Sequence, residues 1–347
     1  FDLKISTELR KGLKPGDVRY AANGMLNDVS SKTLVPNRTL SAEALNLQVD
    51  NDGISISGPA TFSGVAVNGT WSQANGRDSS RVQATVPLSN ASLRALGINL
   101  PDGWVSGTSN ADVVITLPKG GTPTYSVASN LNGNRLRIAD INWSKPASRN
   151  AKFAIKGALG KVPSVDAITL SAPGLTLAGD ITFNADGFQR ANFDTLKVGS
   201  WLDSRVQLAS RGKGGAPAMV FRGGYVTLDG LFAGGGPGNS SGPMDLSLNR
   251  LRINDALYLS DFRVNLDGST KAQGFTGRVN GGTAIAGTLT QKGGVQYISI
   301  NSNNAGAALR DAGLLDKALG GTLQLDLVQD SKGFVGKGKV RDVRVVE

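Results

Sequence analysis

Hydrophobic and polar residues alternate with a period of two over most of the chain, in short runs separated by Gly, Asn, Asp and Pro. In one such run, Leu323, Leu325 and Leu327 fall on one face of an extended segment, and Gln324 and Asp326 fall on the other. This alternation predicts β-strands with one apolar face, and the helical patterns are too short for an α/β or all-α protein. We therefore predict an all-β fold, an elongated, curled antiparallel sheet that forms a hydrophobic groove, with two very short helices.

One sequence pattern occurs twice, in residues 90–117 and 304–327. In each copy, small residues lead into a short helical turn that carries Leu and Ala. A glycine, Gly97 or Gly313, follows at the position of a C-cap, and a Gly-Thr pair then begins an alternating strand. Reuse of one supersecondary unit is typical of repetitive architectures.

Turn residues and changes of phase predict the local irregularities of the strands. Asn23-Gly24 and Gly179-Asp180 are predicted as turns, and the second of them divides residues 168–183 into a meander of three short strands. The alternation changes phase near Ala139-Asp140 and again across Ser260-Asp261. Each change predicts a β-bulge, because an inserted residue returns the apolar side chains to the same face.

The composition excludes several classes of function. The 347 residues include no Cys and no His. Without His there is no Ser-His-Asp triad, no His-ligated zinc and no ordinary general base near neutral pH. Without Cys there is no disulfide and no thiol chemistry. We predict that the chain is not an enzyme, and we assign no catalytic residue, no metal ligand and no cofactor.

The chain is basic, with a formal charge of +10. Residues 135–222 contain thirteen Lys and Arg against six Asp. A positive surface of this kind attracts anionic headgroups or nucleic acid, but Lys and Arg on the outer face of a sheet also protect its edges from pairing with other chains. Aromatic residues are only 6% of the chain, and no stacking motif accompanies the charge, so we predict no nucleic-acid partner.

The order of several short motifs resembles the periplasmic regions of the AsmA-like proteins, and most closely their YhdP-like branch. A strand ends in Gly-Thr-Trp at 69–71, a helical turn reads Leu-Arg-Ala-Leu-Gly at 93–97, and Arg-Leu-Arg-Ile at 135–138 is followed by Trp-Ser-Lys-Pro at 143–146. Residues 298–345, with Asn-Asn-Ala-Gly-Ala-Ala-Leu-Arg and Gly-Gly-Thr-Leu-Gln-Leu, resemble the C-terminal region of that family.

The resemblance implies a function and a location. AsmA-like and YhdP-like proteins, with their relatives of the TamB type, are anchored in the inner membrane of Gram-negative bacteria. They are thought to bridge the periplasm as β-grooves that carry phospholipid to the outer membrane. The family's N-terminal membrane helix is not found in this sequence, which starts at Phe1 in the middle of a pattern. We therefore expect a periplasmic fragment of a parent protein whose inner-membrane anchor lies in segments outside this chain.

The same resemblance suggests two regions. Residues 1–245 resemble the repetitive β-groove of the central YhdP-like region, and residues 246–347 resemble the AsmA-like C-terminal β region. We expect the two to be continuous. The Gly-rich segment 233–243 is the best candidate for a flexible connection between them.

An apolar face sustained over roughly two dozen strands must be covered, since soluble monomers rarely expose more than a few hundred Å² of contiguous apolar surface. A second sheet, closure of the sheet on itself or a non-protein ligand would each cover it. An aliphatic trough suits phospholipid acyl chains, and the alternative is a structural or interaction protein of the cell envelope, a β-sandwich or β-solenoid without lipid carriage. The predicted groove lining is a set of residues with one parity in each strand: Leu136, Ile138, Ile168, Leu170, Leu175, Leu177, Ile181, Phe183, Val206, Leu208, Leu246, Leu248, Leu257, Leu259, Val264, Leu266, Ile298, Ile300, Leu323, Leu325 and Leu327.

Overall fold

The chain is mostly β-structure, with 64% strand and 7% helix, which confirms the predicted all-β class with curled antiparallel sheet. The computed structural model describes residues 1–8, 11–12, 14, 17–32, 38–212, 214–233, 242–267, 269, 271–292, 295–330 and 333–346. These residues form two compact units: unit 1 is residues 1–138 and 144–173, and unit 2 is residues 139–143 and 174–347. The division predicted after residue 245 falls inside unit 2.

The first half of the chain contains thirteen strands and one short helix in the described residues. Their bounds are β1 Asp2–Ser6, β2 Arg19–Ser31, β3 Leu40–Asp50, β4 Gly53–Phe62, β5 Val65–Ala74, β6 Ser79–Leu88, α1 Asn90–Ala95, β7 Val105–Gly107, β8 Ser109–Pro118, β9 Thr124–Ser129, β10 Asn134–Ile138, β11 Trp143–Lys145, β12 Lys152–Ala158 and β13 Val165–Ala172. In unit 1 each strand pairs antiparallel with the next in the order β1, β2, β3, β4, β5, β6, β8, β9, β12 and β13. Strands β7, β10 and β11 form a separate small sheet.

The second half of the chain continues with β14 Leu175–Asn184, β15 Gly187–Val198, β16 Leu202–Ala209, β17 Ala218–Thr227, α2 Leu228–Ala233, β18 Met244–Arg252, β19 Tyr258–Leu266, β20 Gln273–Val279, β21 Ala284–Lys292, β22 Val295–Ser302, α3 Ala305–Asp311, β23 Ala318–Leu319, β24 Thr322–Asp330, β25 Gly333–Arg341 and β26 Arg344–Val345. Pairing follows chain order from β14 to β22 and then runs through β24 to β25. The pair β17–β18 is parallel, whereas the others in this series are antiparallel. A parallel pair needs a crossover connection. The sequence did not predict this pair or the helix α2, and most of the predicted flexible connection, residues 234–241, lies outside the described residues.

The repeated pattern folds as predicted. Helices α1 and α3 are the two predicted helices, and each is capped by a side chain: the Ser89 hydroxyl accepts from the Ser92 amide at 3.1 Å, and the Asn304 carboxamide accepts from the Ala307 amide at 3.1 Å. Gly97 and Gly313 then adopt φ values of 77° and 70°. This left-handed conformation, which glycine reaches without steric cost, ends each helix. No described helix has the length and apolar character needed to cross a lipid bilayer.

The predicted irregularities divide into one correct prediction and three wrong ones. The register of β19 against β20 shifts between Ser260 and Arg263, and Asp261 has a φ of 51°, which confirms the predicted bulge. The bulge predicted near residue 139 is instead a 3-10 turn, Ala139–Ile141, between two separate strands. Asn23-Gly24 lies inside β2, and Gly179-Asp180 lies inside β14, so residues 168–183 belong to two strands and not to three.

Gly287 on β21 lies under the ring of Phe275 from the neighbouring strand. A Cβ atom at this position would sit 2.2 Å from the carbonyl oxygen of Ser299 and 2.4 Å from Cζ of Phe275. We expect Gly287→Ala to lower the free energy of unfolding by about 1–3 kcal/mol, because the ring and the paired strand must shift to admit the methyl group. Gly274→Ala on β20 is the matched control, since no atom lies within 4 Å of its added Cβ. Urea unfolding measures both variants, and equal destabilisation would contradict this packing.

Candidate functional site

A row of apolar side chains crosses six neighbouring strands of unit 1. Directly opposed residues of antiparallel strands point to the same face of the sheet, so a series of opposed apolar residues forms a row across the strands. The row runs from β3 to β9 through the opposed pairs Leu47–Ile56, Ile56–Trp71, Trp71–Val82, Val82–Ile115 and Ile115–Tyr125.

A second row continues the first towards β13. Its opposed pairs are Ala84–Val113, Val113–Val127, Val127–Ile155 and Ile155–Ile168. On β6, β8 and β9 the members of the two rows are two residues apart, so both rows share one face. We call the residues of both rows the apolar stripe. It crosses eight strands, which at the usual spacing of ~4.8 Å makes it about 34 Å long.

Every residue of the apolar stripe is only partly buried. Part of the apolar face of unit 2 differs, because Leu246, Leu248 and Phe262 on β18 and β19 are 0%, 2% and 3% exposed. Side chains covered by a second layer reach such values, since a core residue is surrounded by neighbours on all sides. The stripe therefore keeps apolar surface that the described part of the chain does not fully cover.

The apolar stripe carries no ionised group. Four charged residues of these strands lie on the other face of the sheet, because each has the opposite parity to the stripe residue of its strand. They are Arg81, Asp112, Lys152 and Lys156, and all four are exposed. The stripe has two polar groups, the indole N–H of Trp71 and the hydroxyl of Tyr125, and the latter donates to the carbonyl oxygen of Ser164 at 3.0 Å. Burial, and after it the negative charge of Asp166, raises the pKa of Tyr125, so the phenol stays neutral.

Four of the residues predicted to line a groove lie in unit 1. Ile168 belongs to the stripe, and Leu170 is buried beside it on β13, opposite Phe153. Leu136 and Ile138 are half-buried on β10, in the small sheet, so the structure does not bring them into the stripe.

The other predicted lining residues lie in unit 2, and their burial divides them into two groups. The buried group packs as core, with opposed pairs such as Leu246–Val264; it comprises Leu175, Val206, Leu246, Leu248, Leu259, Val264, Leu266 and Ile298. The half-buried group comprises Leu177, Ile181, Phe183, Leu208, Leu257, Ile300, Leu323, Leu325 and Leu327. Within it, Ile300 opposes Leu325, whereas Leu257 precedes β19 and belongs to no strand.

Most of the apolar stripe is absent from the predicted lining. Only Ile168 was predicted, although the alternation of each strand places residues such as Ile56, Val82 and Val127 on an apolar face. Alternation within one strand cannot tell which residues of different strands stand opposite each other, because that depends on register. Each strand therefore carried the sequence signal for its own part of the stripe. No such signal indicated how these parts assemble across the strands.

A buried lysine lies in the small sheet next to this region. Lys145 is 0% exposed, and its ammonium group donates to the carbonyl oxygens of Leu131, Asn134 and Pro146 at 2.9, 2.8 and 3.0 Å. The Asn134 carboxamide in turn accepts from the Ser109 hydroxyl on β8. Burial lowers the pKa of Lys145. This cluster ties the small sheet to the main sheet of unit 1, and three acceptors leave the ammonium no free donor for a ligand.

Comparisons of the chain with protein-family models, with curated proteins and with solved structures found no match. The apolar stripe is the feature of the described residues that bears most directly on function, because it combines length, neutrality and incomplete burial on one face.

Proposed function

We propose that unit 1 binds the acyl chains of phospholipids along the apolar stripe. The observation that carries this proposal is the pair of overlapping rows of opposed apolar residues, which together run from Leu47 to Ile168 and are all partly buried. Each methylene group that an acyl chain buries there contributes roughly 0.8 kcal/mol.

The chemistry of the stripe favours a ligand that is apolar and long. The Tyr125 hydroxyl, one of two polar groups of the stripe, already donates to a carbonyl oxygen of the protein, and the other polar group is the indole N–H of Trp71. Contacts along the stripe are otherwise aliphatic or aromatic, and an acyl chain, which forms no hydrogen bonds, can shift along it without breaking one. The charged residues on the other face are exposed to water, because burial of an unpaired charge is costly.

The resemblance to AsmA-like and YhdP-like proteins supports a wider proposal. In it, the chain is a periplasmic fragment of a bridge-like phospholipid transporter between the inner and outer membranes of a Gram-negative bacterium. The stripe supplies the path for the acyl chains, and the parent protein supplies the membrane anchor.

The second candidate is a structural or interaction protein of the cell envelope without lipid carriage. One observation favours it for unit 2, where Leu246, Val264 and Ile298 are at most 6% exposed and are closed to a ligand. Other apolar residues of unit 2, such as Leu177 and Leu325, are half-buried. We place acyl-chain binding on unit 1, where the partly buried apolar residues form opposed rows across eight strands. The role of the buried face of unit 2 is to hold its sheet together.

Native mass spectrometry of the purified chain, followed by organic extraction and lipid analysis, tests the proposed function. We expect adducts with phospholipid masses, and the extracted lipid should account for them. Protein that is free of lipid, and that takes up none when incubated with phosphatidylethanolamine and phosphatidylglycerol vesicles, would favour the second candidate.

A further inference from the structure

The polar face of unit 2 contains an open cleft of about 810 Å³. Its floor is a row of opposed residues, Arg263–Thr276, Thr276–Ala286 and Ala286–Asn301, across four neighbouring strands. The small side chain of Ala286 at the centre of this row leaves room above the sheet. The longer side chains at its ends form the walls.

Two guanidinium groups line the cleft. Arg263 and Arg278 are exposed on β19 and β20, and neither forms an ion pair within the described ranges. The confirmed bulge at Ser260 and Asp261 changes the phase of β19, so that Phe262 faces the core and Arg263 faces the cleft. The conformation of the bulge therefore places one of the two arginines.

Two carboxylates near these arginines, Asp245 and Asp311, are hydrogen-bonded to other donors, and the charges of Arg263 and Arg278 contribute to lowering their pKa. Asp245 binds Arg222 at 2.7 Å, and that bond lowers its pKa. Asp311 accepts from the amide and the hydroxyl of Thr283 at 2.6 and 2.5 Å, and these bonds lower its pKa. Among the described residues, Asp261 is the one carboxylate that lines the cleft itself. The lining residues therefore carry a net positive charge, two guanidinium groups against one carboxylate.

The remaining polar groups of the cleft suit hydroxyl groups. Asn301 and Asn303 are exposed in its lining, together with Thr276. Carboxamides and hydroxyls both donate and accept hydrogen bonds, as sugar hydroxyls do. Guanidinium groups bind phosphate oxygens in a planar, bidentate manner, which makes arginine better suited than lysine to this anion.

We propose that this cleft binds a phosphorylated saccharide, with Arg263 and Arg278 on the phosphate and Asn301 and Asn303 on the sugar hydroxyls. The site lies on unit 2, on the face opposite the buried apolar residues Val264 and Phe275. It is therefore independent of acyl-chain binding by unit 1. A soluble sugar phosphate and the headgroup of a phosphorylated glycolipid share this chemistry.

Isothermal titration calorimetry of the full chain with glucose 1-phosphate, glucose and inorganic phosphate tests the proposal. We expect saturable binding of glucose 1-phosphate, weaker binding of inorganic phosphate and none of glucose. The double variant Arg263→Gln/Arg278→Gln should weaken binding of glucose 1-phosphate at least tenfold. The variant Arg263→Lys/Arg278→Lys keeps both charges but loses the bidentate geometry. Its affinity for glucose 1-phosphate should lie between those of the unchanged chain and the double glutamine variant.

Arg190→Gln is the matched control, because Arg190 is an exposed arginine on β15 that does not line the cleft. It should bind glucose 1-phosphate as the unchanged chain does, and thermal unfolding checks that all variants are folded. Absence of saturable binding at millimolar glucose 1-phosphate would overturn the proposal, as would an equal loss in the control. Inorganic phosphate binding as tightly as glucose 1-phosphate would overturn the assignment of the saccharide.

Cosedimentation with vesicles distinguishes the two sources of the ligand. Phosphatidylcholine vesicles that carry monophosphoryl lipid A are compared with vesicles of phosphatidylcholine alone. Retention that depends on lipid A and is competed by glucose 1-phosphate supports the site with a glycolipid as its ligand. Calorimetric binding without such retention supports the site with a soluble ligand.

Discussion

Ile115→Asp is expected to abolish the co-purification of phospholipid while the protein stays folded. Ile115 lies in the middle of the apolar stripe, between Val82 and Tyr125 on the neighbouring strands, and it is only partly buried. An acyl chain that covers this position would bury an ionised carboxylate without a partner, which costs several kcal/mol. Because each 1.4 kcal/mol is a factor of ten in affinity, we expect lipid occupancy to fall by roughly a hundredfold or more.

Thr116→Asp is the control for this prediction, since Thr116 is the next residue of the same strand and is exposed on the opposite face. It should retain lipid at the level of the unchanged chain. Circular dichroism and lipid analysis are measured on both variants. If Ile115→Asp fails to fold, the milder Ile115→Asn replaces it. Equal lipid content in the Ile115 and Thr116 variants would show that the stripe does not hold the acyl chains.

Lys145→Met is expected to destabilise unit 1 more than any other single change of a charged residue that we consider. The ammonium group is fully buried and donates to three carbonyl oxygens, two of which belong to the buried residues Leu131 and Asn134. Methionine fills a similar volume but leaves these acceptors without a donor. Removal of the charged partner from buried hydrogen bonds of this kind lowers the free energy of unfolding by about 3–5 kcal/mol.

Chemical denaturation of Lys145→Met and of Lys156→Met measures this effect. Lys156 is exposed on β12 and forms no ion pair with the residues that the structure describes, so its replacement should change stability by less than about 0.5 kcal/mol. A loss of similar size in the two variants would mean that the three carbonyl contacts of Lys145 contribute little. Retained lipid binding in Lys145→Met, under conditions where it is folded, would confirm that the lysine acts on stability alone.

The features that the sequence predicted correctly depend on short-range signals. The two repeated helices end at Gly97 and Gly313 because a left-handed residue is cheapest at glycine, and this requirement is visible in the sequence itself. The bulge at Ser260 and Asp261 is visible for a similar reason, since a change of phase within one strand needs an inserted residue.

The features that the sequence did not predict depend on what another strand contributes. Gly179 was read as a turn residue, yet it lies in β14, where an added Cβ would sit 1.9 Å from the carbonyl oxygen of Asn192 on β15. Glycine is required there by the close approach of two strands and not by a turn. Lys145 belongs to the basic region, residues 135–222, that was interpreted as a positive surface, and the carbonyl groups that accept from its ammonium explain its burial.

The candidate site shows the same limit. Alternation marked the apolar side of each strand, but it gave Leu246, which is buried, and Leu177, which is half-buried, the same status. Exposure depends on whether another layer covers the face, and that information is spread over the whole unit. The sequence therefore predicted that apolar faces exist, while the structure shows which of their residues are buried and which, on either unit, are only partly covered.

Photocrosslinking at two adjacent residues of β9 tests acyl-chain binding most directly. Benzoyl-phenylalanine replaces either Val127, which belongs to the apolar stripe, or Ser126, which is exposed on the opposite face. The purified protein is irradiated in the presence of phospholipid, and the covalent adducts are measured by mass spectrometry. We expect lipid adducts at position 127 and not at position 126. Adducts at neither position, or equal yields at both, would contradict it.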